Sequence, residues 1–355
     1  MLGWVLIALV IVVFVFRRKK HMFWGHQPVS RDALRCEGMI SHTHPQPIDV
    51  KNPDRIVTVE PLKRAFHRTL ADFLSRHYVR DYRYDSHFIS WVLNFPYMTR
   101  NNIINLFQND TLTGNIISKP YRLHVRGIPL HSQYVDMLCV HKGHRNKNYA
   151  PVLISQLLKH SFIGDHKTYI YKIEQKPLPF NYICKARYYF KRVDDSTSSH
   201  VCRLRRTTTE DIEYIRTLYD KESVKYACFP SFDTNQMKYM CTSVDNVYES
   251  LVVDVGGENR GIVMFSINDL RHGRGKVAEI SLLLCENSYH IEAVKALIQY
   301  CHAIKVNVVL CTNIGQNHAF VKSMDFSEGM DVYFHMYNYH LNKPLEPREL
   351  LFNFV

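Results

Sequence analysis

Tyr134-Val135-Asp136-Met137-Leu138-Cys139-Val140, then His141-Lys142-Gly143-His144-Arg145-Asn146-Lys147-Asn148-Tyr149-Ala150, then Pro151-Val152-Leu153-Ile154-Ser155-Gln156-Leu157-Leu158-Lys159-His160: this stretch decides the fold. Val135, Met137, Leu138, Cys139 and Val140 form an apolar strand. The loop after it carries Lys142, Arg145 and Lys147, one glycine and no acid. Pro151 stands where helices tend to begin, and Val152, Leu153, Gln156, Leu157 and His160 continue at helical spacing. A helix N-terminus behind a basic loop offers unpaired N–H groups and positive charge together, which is what a pyrophosphate needs. An anionic cofactor is expected here. The plain alternative is a buried strand followed by a solvated basic loop.

Working outward, 355 residues suffice for two structural units of ordinary size, and 46% hydrophobic residues exclude wholesale disorder. The net charge of +12 favours anionic partners, but the basic residues alternate with Tyr, Phe and acids. That pattern excludes a nucleic-acid arm. Nine cysteines, none in a C-x-x-C pair, give neither a zinc site nor a disulfide framework, so reduced thiols and a cytosolic setting are expected. No metal site, nucleophile elbow, Walker loop or dinucleotide loop is present.

Leu2 to Phe16 is unbroken apolar sequence closed by Arg17-Arg18-Lys19-Lys20. As a helix the run from Met1 spans about 24 Å against a hydrocarbon core of about 30 Å. Snorkelling and local thinning can supply the rest. Residues 1–20 are therefore expected to be a single transmembrane anchor, with the basic cluster and everything after it on the cytosolic side. A cleaved signal peptide is the rival, but no basic n-region or small-x-small site precedes the cluster.

Further along, Leu62, Phe66, Leu70, Phe73 and Leu74 mark an amphipathic helix, and Phe88 to Leu93 a second apolar face. Ile116 to Val125 suggests a hairpin around Lys119-Pro120, and Thr168 to Ile173 a strand. Arg187 to Phe190 is aromatic and expected to be buried. Asp194 to Ser199 reads as a linker. Thr208-x-x-Asp211 is a capping box ahead of Ile212, Ile215 and Leu218. Strands follow at 251–255, 261–267, 280–284 and 306–311, with Gly256-Gly257 at a turn and a helix over 291–302. The alternation predicts an α/β fold with a mixed sheet.

Leu138-Cys139-Val140-His141-Lys142, Arg145-x-Lys147 and Ala150-Pro151-Val152-Leu153-Ile154 resemble the most characteristic segment of the N-myristoyltransferases. Phe23-Trp24 with Gln27-Pro28-Val29, Tyr78-Val79 with Arg83-Tyr84-Asp85 and Trp91-Val92-Leu93, Arg187-Tyr188, Leu204-Arg205 with Thr209 and Asp211-Ile212, and Asn317, Phe320, Phe326, Gly329 and Tyr337-Asn338 follow in that family's order. The resemblance implies two pseudo-symmetric acetyltransferase-like (GNAT) halves forming one saddle-shaped sheet. Residues 21–195 would be the acyl-CoA-binding half and residues 200–355 the peptide-binding half.

It further implies an acyltransferase that moves myristate from myristoyl-CoA to the N-terminal glycine amine of proteins. Direct attack, without a covalent enzyme intermediate and without a metal, is the expected route, and a monomer the expected state. Met22, Phe23 and Trp24 would lie along the CoA, with Met137, Leu138, Cys139 and Val140 lining the thioester. The main-chain N–H groups of Met137 and Leu138 would polarise its carbonyl. Arg145, Asn146, Lys147, Asn148, Tyr149 and Ala150 match the phosphate-binding turn, and Tyr78, Asp81, Tyr84 and Tyr188 the peptide groove.

The chain-terminal carboxylate, here that of Val355, would take the proton of the glycine ammonium. In water that transfer costs about 6 kcal/mol, and burial shrinks the gap. Three departures bear on activity. Asn148 stands where a second basic residue is usual, the acidic run after Tyr78-Val79 is reduced to Asp81, and Phe190 replaces a histidine. A catalytically weak module that binds acyl-CoA or a Gly-peptide, and an acetyltransferase of other specificity, are the alternatives.

Overall fold

A computed structural model describes residues 23–31, 36–41, 55–58, 64–78, 82–161, 166–194, 197, 199–270 and 275–354. Residues 1–20, Met22, Asp81 and Val355, each given a role above, lie outside that set. Among the described residues no helix is long and apolar enough to cross a membrane.

In chain order the first elements are β1 (Gly38–Met39), β2 (Arg55–Thr58), α1 (Arg64–His77), β3 (Tyr82–Arg83), α2 (Ser86–Leu93), β4 (Ile103–Gln108), β5 (Thr111–Val125), β6 (Ile128–Val140), α3 (Tyr149–Ser161), β7 (Thr168–Glu174) and β8 (Cys184–Arg192). Then come β9 (Cys202–Arg206), α4 (Ile212–Ser223), β10 (Cys228–Ser231), α5 (Thr234–Met240), β11 (Tyr248–Val255), β12 (Glu258–Leu270), β13 (Lys276–Cys285), α6 (His290–Ala303), β14 (Val308–Thr312), α7 (Asn317–Val321), β15 (Ser327–Tyr337) and β16 (Tyr339–His340).

Local chemistry sets many of these limits. Asp85 caps α2 by accepting the Phe88 N–H at 2.6 Å. Thr208 and Asp211 form the expected capping box ahead of α4. Gly256 and Gly257, with φ of +62° and +89°, close the β11–β12 hairpin in the conformation that such two-residue turns require. Pro151 is the third residue of α3, not the first, and its missing N–H still falls among those that a helix leaves unpaired.

Fourteen strands make one sheet in the order β2-β4-β5-β6-β7-β15-β8-β14-β13-β12-β11-β9, with β10 beside β5 and β3 beside β12. The order β4-β5-β6-α3-β7-β8 recurs as β11-β12-β13-α6-β14-β15. In each half a meander is followed by a crossover helix and a short parallel contact. Ser132–Tyr134 pairs with Thr168–Ile170 in one, and Val277–Glu279 with Val308–Leu310 in the other. The last strands are exchanged: β8 lies on β14, β15 lies on β7, and the two pair with each other. The expected linker therefore falls between β8 and β9, while the sheet runs continuously through both halves. α3 covers one half through Val152, Leu153 and Leu157, and α6 the other through Val294, Leu297 and Ile298.

Two expectations are corrected. No hairpin turns at Lys119-Pro120, because β5 runs straight through it. On that edge β4 reaches only to Ile117 and β10 begins only at Arg122, so Pro120 sits in a gap where no partner needs its N–H. Phe190 is also not buried. Tyr188 points inward at 4% exposure, but two residues on, near the strand's end, Phe190 is 38% exposed.

Candidate functional site

Beyond Tyr134 and Ile170 the parallel strands β6 and β7 part, and the space between them is a cavity of about 410 Å³. Val135, Met137 and Leu138 line one side and Tyr171, Ile173 and Glu174 the other, with Ile154 and Leu157 of α3, Trp24 and Leu178 completing the wall. Size and apolar lining suit an elongated organic ligand. Phe23 is buried and packs edge-on to Trp24 at 4.9 Å, and Trp24 meets Phe180 at 5.0 Å.

The strand facing the cavity is irregular. Asn115 of β5 opposes Cys139 while Ile117 opposes Asp136, so β6 carries one extra residue there. Met137 takes up the bulge with φ of +52°, a left-handed conformation that costs an L-residue about 1–2 kcal/mol. Its side chain is 1% exposed, and that packing holds the kink. The turned-out Met137 N–H donates to Asp136 Oδ1 at 2.7 Å, and the Tyr78 hydroxyl approaches the same oxygen at 3.4 Å. Met137 and Leu138 both line the cavity, with the Met137 N–H held by Asp136. Asp136 is the residue that sequence reasoning passed over. The available signal was that it is the only acid between Asp110 and Asp165.

After β6 the basic loop winds through a short helical turn, Lys142–His144, into α3. Asn146 and Asn148 have φ of +63° and +64°. Asparagine adopts that conformation at lower cost than lysine or arginine, so Asn148 suits its backbone. Alternation of left- and right-handed residues also turns successive N–H groups towards one side, an anion-binding geometry. Lys147 is exposed, but the Arg145 guanidinium folds back onto the carbonyls of His77 and Val140. Arg145 therefore braces the loop against α1. Tyr149 is buried beneath His144, with ring centres 4.9 Å apart, and Ala150 lies in the first turn of α3.

A histidine cluster underlies the loop. His77 meets His141 at 4.1 Å between ring centres, and His144 follows at 5.3 Å from His141. Burial, then the neighbouring His141, Lys142 and Arg145, pushes His77 down to about 4. His141 is lowered as well, by burial, His144 and Arg145. The field at the loop is strongly positive, and an anion is what would relieve it.

Of the residues assigned to the acceptor side, Tyr78 and Tyr188 approach the cavity and Tyr84 does not. Tyr84 is buried against Phe88 at 5.0 Å beneath α2. The Tyr188 hydroxyl approaches Glu174 at 3.3 Å and Glu279 at 3.4 Å. Glu279 also meets Lys172 Nζ at 3.1 Å, both side chains being 2% exposed, and Asn353 Nδ2 donates to it at 3.0 Å. The chain's tail is thereby tied to the cavity's inner end. Phe352 and Phe354 are buried, and Phe354 stacks on Tyr134 at 5.1 Å. Gly315 lets the tail pass: its φ is +52°, and a Cβ there would lie 3.3 Å from the Leu351 carbonyl oxygen. Among the described residues no group of His, Cys, Asp and Glu could hold a metal.

The family model described as Myristoyl-CoA:protein N-myristoyltransferase, N-terminal domain, matches residues 37–180. A glycylpeptide N-tetradecanoyltransferase of Emericella nidulans is 27% identical over 201 residues, 50% of this chain and 40% of that protein. In its alignments to this relative and to one of Aspergillus fumigatus, the chain spans only 40% and 38% of their length. A glycylpeptide N-tetradecanoyltransferase of Dictyostelium discoideum is 21% identical over 374 residues, 90% of this chain and 89% of that protein. Among solved structures, Saccharomyces cerevisiae N-myristoyltransferase with bound myristoyl-CoA superposes with a TM-score of 0.83 at 18% identity, covering 92% of this chain and 94% of that one. A GCN5-related N-acetyltransferase from Anabaena variabilis gives 0.52 at 10% identity over 80% of this chain and 72% of its own. Residues 37–180 are thus similar to the N-terminal domain of the N-myristoyltransferases, and the chain shares its fold with the yeast enzyme.

Proposed function

We propose that the chain transfers myristate from myristoyl-CoA to the N-terminal glycine amine of proteins. The observation that carries this reading is the cavity where β6 and β7 part, with a bulged strand on its wall and a positive loop following that strand. The pyrophosphate lies against the loop and the start of α3, and the thioester carbonyl faces the N–H groups of Met137 and Leu138. Burying the chain at about 0.8 kcal/mol per CH₂ supplies most of the affinity. The terminal carboxylate of Val355, next in the chain to the buried Phe354, takes one proton from the glycine ammonium. The neutral amine attacks the carbonyl carbon, the C–S bond breaks, and the second proton shed by the nitrogen goes to the sulfur, so that CoA leaves as the thiol.

Residues 21–195 hold the donor and residues 200–355 most of the acceptor peptide. The apolar run Leu2 to Phe16 and its basic cluster support an enzyme anchored at the membrane, with its catalytic part on the cytosolic side.

One feature favours a rival, a module that binds without turning over. The buried Lys172–Glu279 pair with Asn353 stands at the inner end of the cavity, where an acceptor must approach. Incubation with myristoyl-CoA and a set of Gly-initiated peptides separates the two. Amide-linked myristate on the glycine supports the enzyme, binding without product supports the module, and preference for short acyl chains would move the reading to an acetyltransferase.

A further inference from the structure

We propose that Asp136 holds the acceptor as an ammonium ion beside the thioester, and so selects a charged primary amine over a neutral acceptor. The proposal rests on the acyl-transfer reading above and adds the residue that recognises the acceptor's reacting group.

Asp136 lines the cavity one residue before the bulge. Its Oδ1 accepts the Met137 N–H at 2.7 Å. A cation bound to this carboxylate therefore sits beside Met137, whose N–H the same carboxylate holds until the thioester carbonyl replaces Oδ1 as its acceptor. Nucleophile and electrophile are brought together by a single side chain, which is the arrangement that lowers the entropy cost of attack.

Charge balance points the same way. Tyr78 faces Asp136 from the end of α1, Lys119 and Tyr121 from β5, Lys172 and Glu174 from β7, and Glu279 from β13. Lys172 is matched by Glu279. Lys119 is buried, with its Nζ 5.8–5.9 Å from the ring centres of Trp91, Phe95 and Tyr134. Among the described residues it makes no ion pair with Asp136. Burial, opposed by Asp136 and aided by Lys172, lowers its amine to about 8. Among the described residues Asp136, half-buried and facing the cavity, has no ion-pair partner, and such a carboxylate gains by acquiring one.

The test is a comparison of two ligands by calorimetry, with a non-hydrolysable thioether analogue of myristoyl-CoA already bound. One is a Gly-initiated peptide and the other the same peptide with a hydroxyl in place of its α-amine. The wild-type chain should bind the amine roughly 10- to 100-fold more tightly, the range of a charge-assisted hydrogen bond. Asp136→Asn keeps an oxygen for the Met137 N–H and should bind both peptides alike, with unchanged affinity for the thioether analogue. Wild-type preference should also fade above the amine's pKa of about 8, a readout that needs no variant. Persistent preference in Asp136→Asn, none in the wild type, or a parallel loss of thioether binding overturns the proposal. Turnover is scored separately. Product formation with a preference indifferent to Asp136 rejects the proposal and keeps the function. An Asp136-dependent preference without product keeps the recognition and rejects the transfer.

Discussion

β6 and β13 each carry one extra residue close to where a parallel partner leaves them, around Met137 in the first half and at Ser281 in the second. In the first half the strands part around a cavity, the bulge is strained, and the crossover begins with a basic loop. In the second half the chain's own tail runs into the parting. The Asn353 N–H donates to the Ser281 carbonyl at 3.0 Å, and its side chain reaches Glu279 and the Ile280 carbonyl. The crossover is short there and starts at Glu286-Asn287-Ser288-Tyr289, with an acid where the first half has cations. The same geometry is thus kept open for a ligand on one side and closed by a peptide segment on the other. A gap between diverging strands exposes unpaired backbone, and it must be satisfied from within the chain or from outside it.

That contrast can be broken at the tail, where the effect should be greatest. Phe354 is fully buried, and Phe354→Ala should cost roughly 3–5 kcal/mol by denaturant unfolding and remove acyl transfer. A C-terminal extension should likewise abolish transfer, because it removes the carboxylate proposed to take the proton, while myristoyl-CoA binding persists. An extended chain with full turnover would mean that the second parting tolerates an unseated tail.

Next in size is the pair that joins the two partings. Lys172→Met leaves Glu279 buried and unmatched, and should destabilise by about 3–5 kcal/mol. The double variant with Glu279→Met should recover most of that in urea titrations. Failure of the second substitution to rescue the first would show that the pair is not a unit.

A smaller effect is expected at the loop. Asn148→Lys restores a charge but forces a long side chain into φ of +64°, so it should lose about 1 kcal/mol and gain no affinity for acyl-CoA. Asn148→Gly should be neutral in stability. Tighter binding by the lysine variant would show that charge outweighs the conformational demand.

The smallest is a pH effect at His77, whose folded value near 4 is below its ordinary 6.5. The neutral form is favoured on folding, so its contribution to stability is present above about 6.5 and is lost as pH falls towards 4. An anion on the loop raises that value, so acyl-CoA binding should take up a proton in this window and strengthen as pH falls from 7 to 5.5. Calorimetry in two buffers of different ionisation enthalpy measures the uptake, and His77→Gln should reduce it. Equal uptake by that variant would place the proton on the ligand.

What could be read in the sequence was local. The change from period two to period 3.6 across the loop located β6 and α3, and Thr208 with Asp211 announced α4. The strand through Pro120 was not legible, because proline marks a turn unless its edge lacks a partner, and that gap is left between β4 and β10, which are far apart in the sequence. The exchange of β8 and β15 leaves no local trace, since each alternates as any strand does. Asp136 looked like ordinary strand alternation until the bulge turned its carboxylate onto the next N–H. The histidine cluster joins the end of α1 to the loop after β6, and no spacing in the sequence suggests it.

The central claim is that the two partings differ in what fills them. A crystal structure of the chain with the thioether analogue of myristoyl-CoA tests it most directly. The acyl thioether should lie between β6 and β7 with its pyrophosphate on residues 142–149, while Asn353 stays bonded to Ser281. Ligand density between β13 and β14, or a tail displaced from Ser281, would contradict the account.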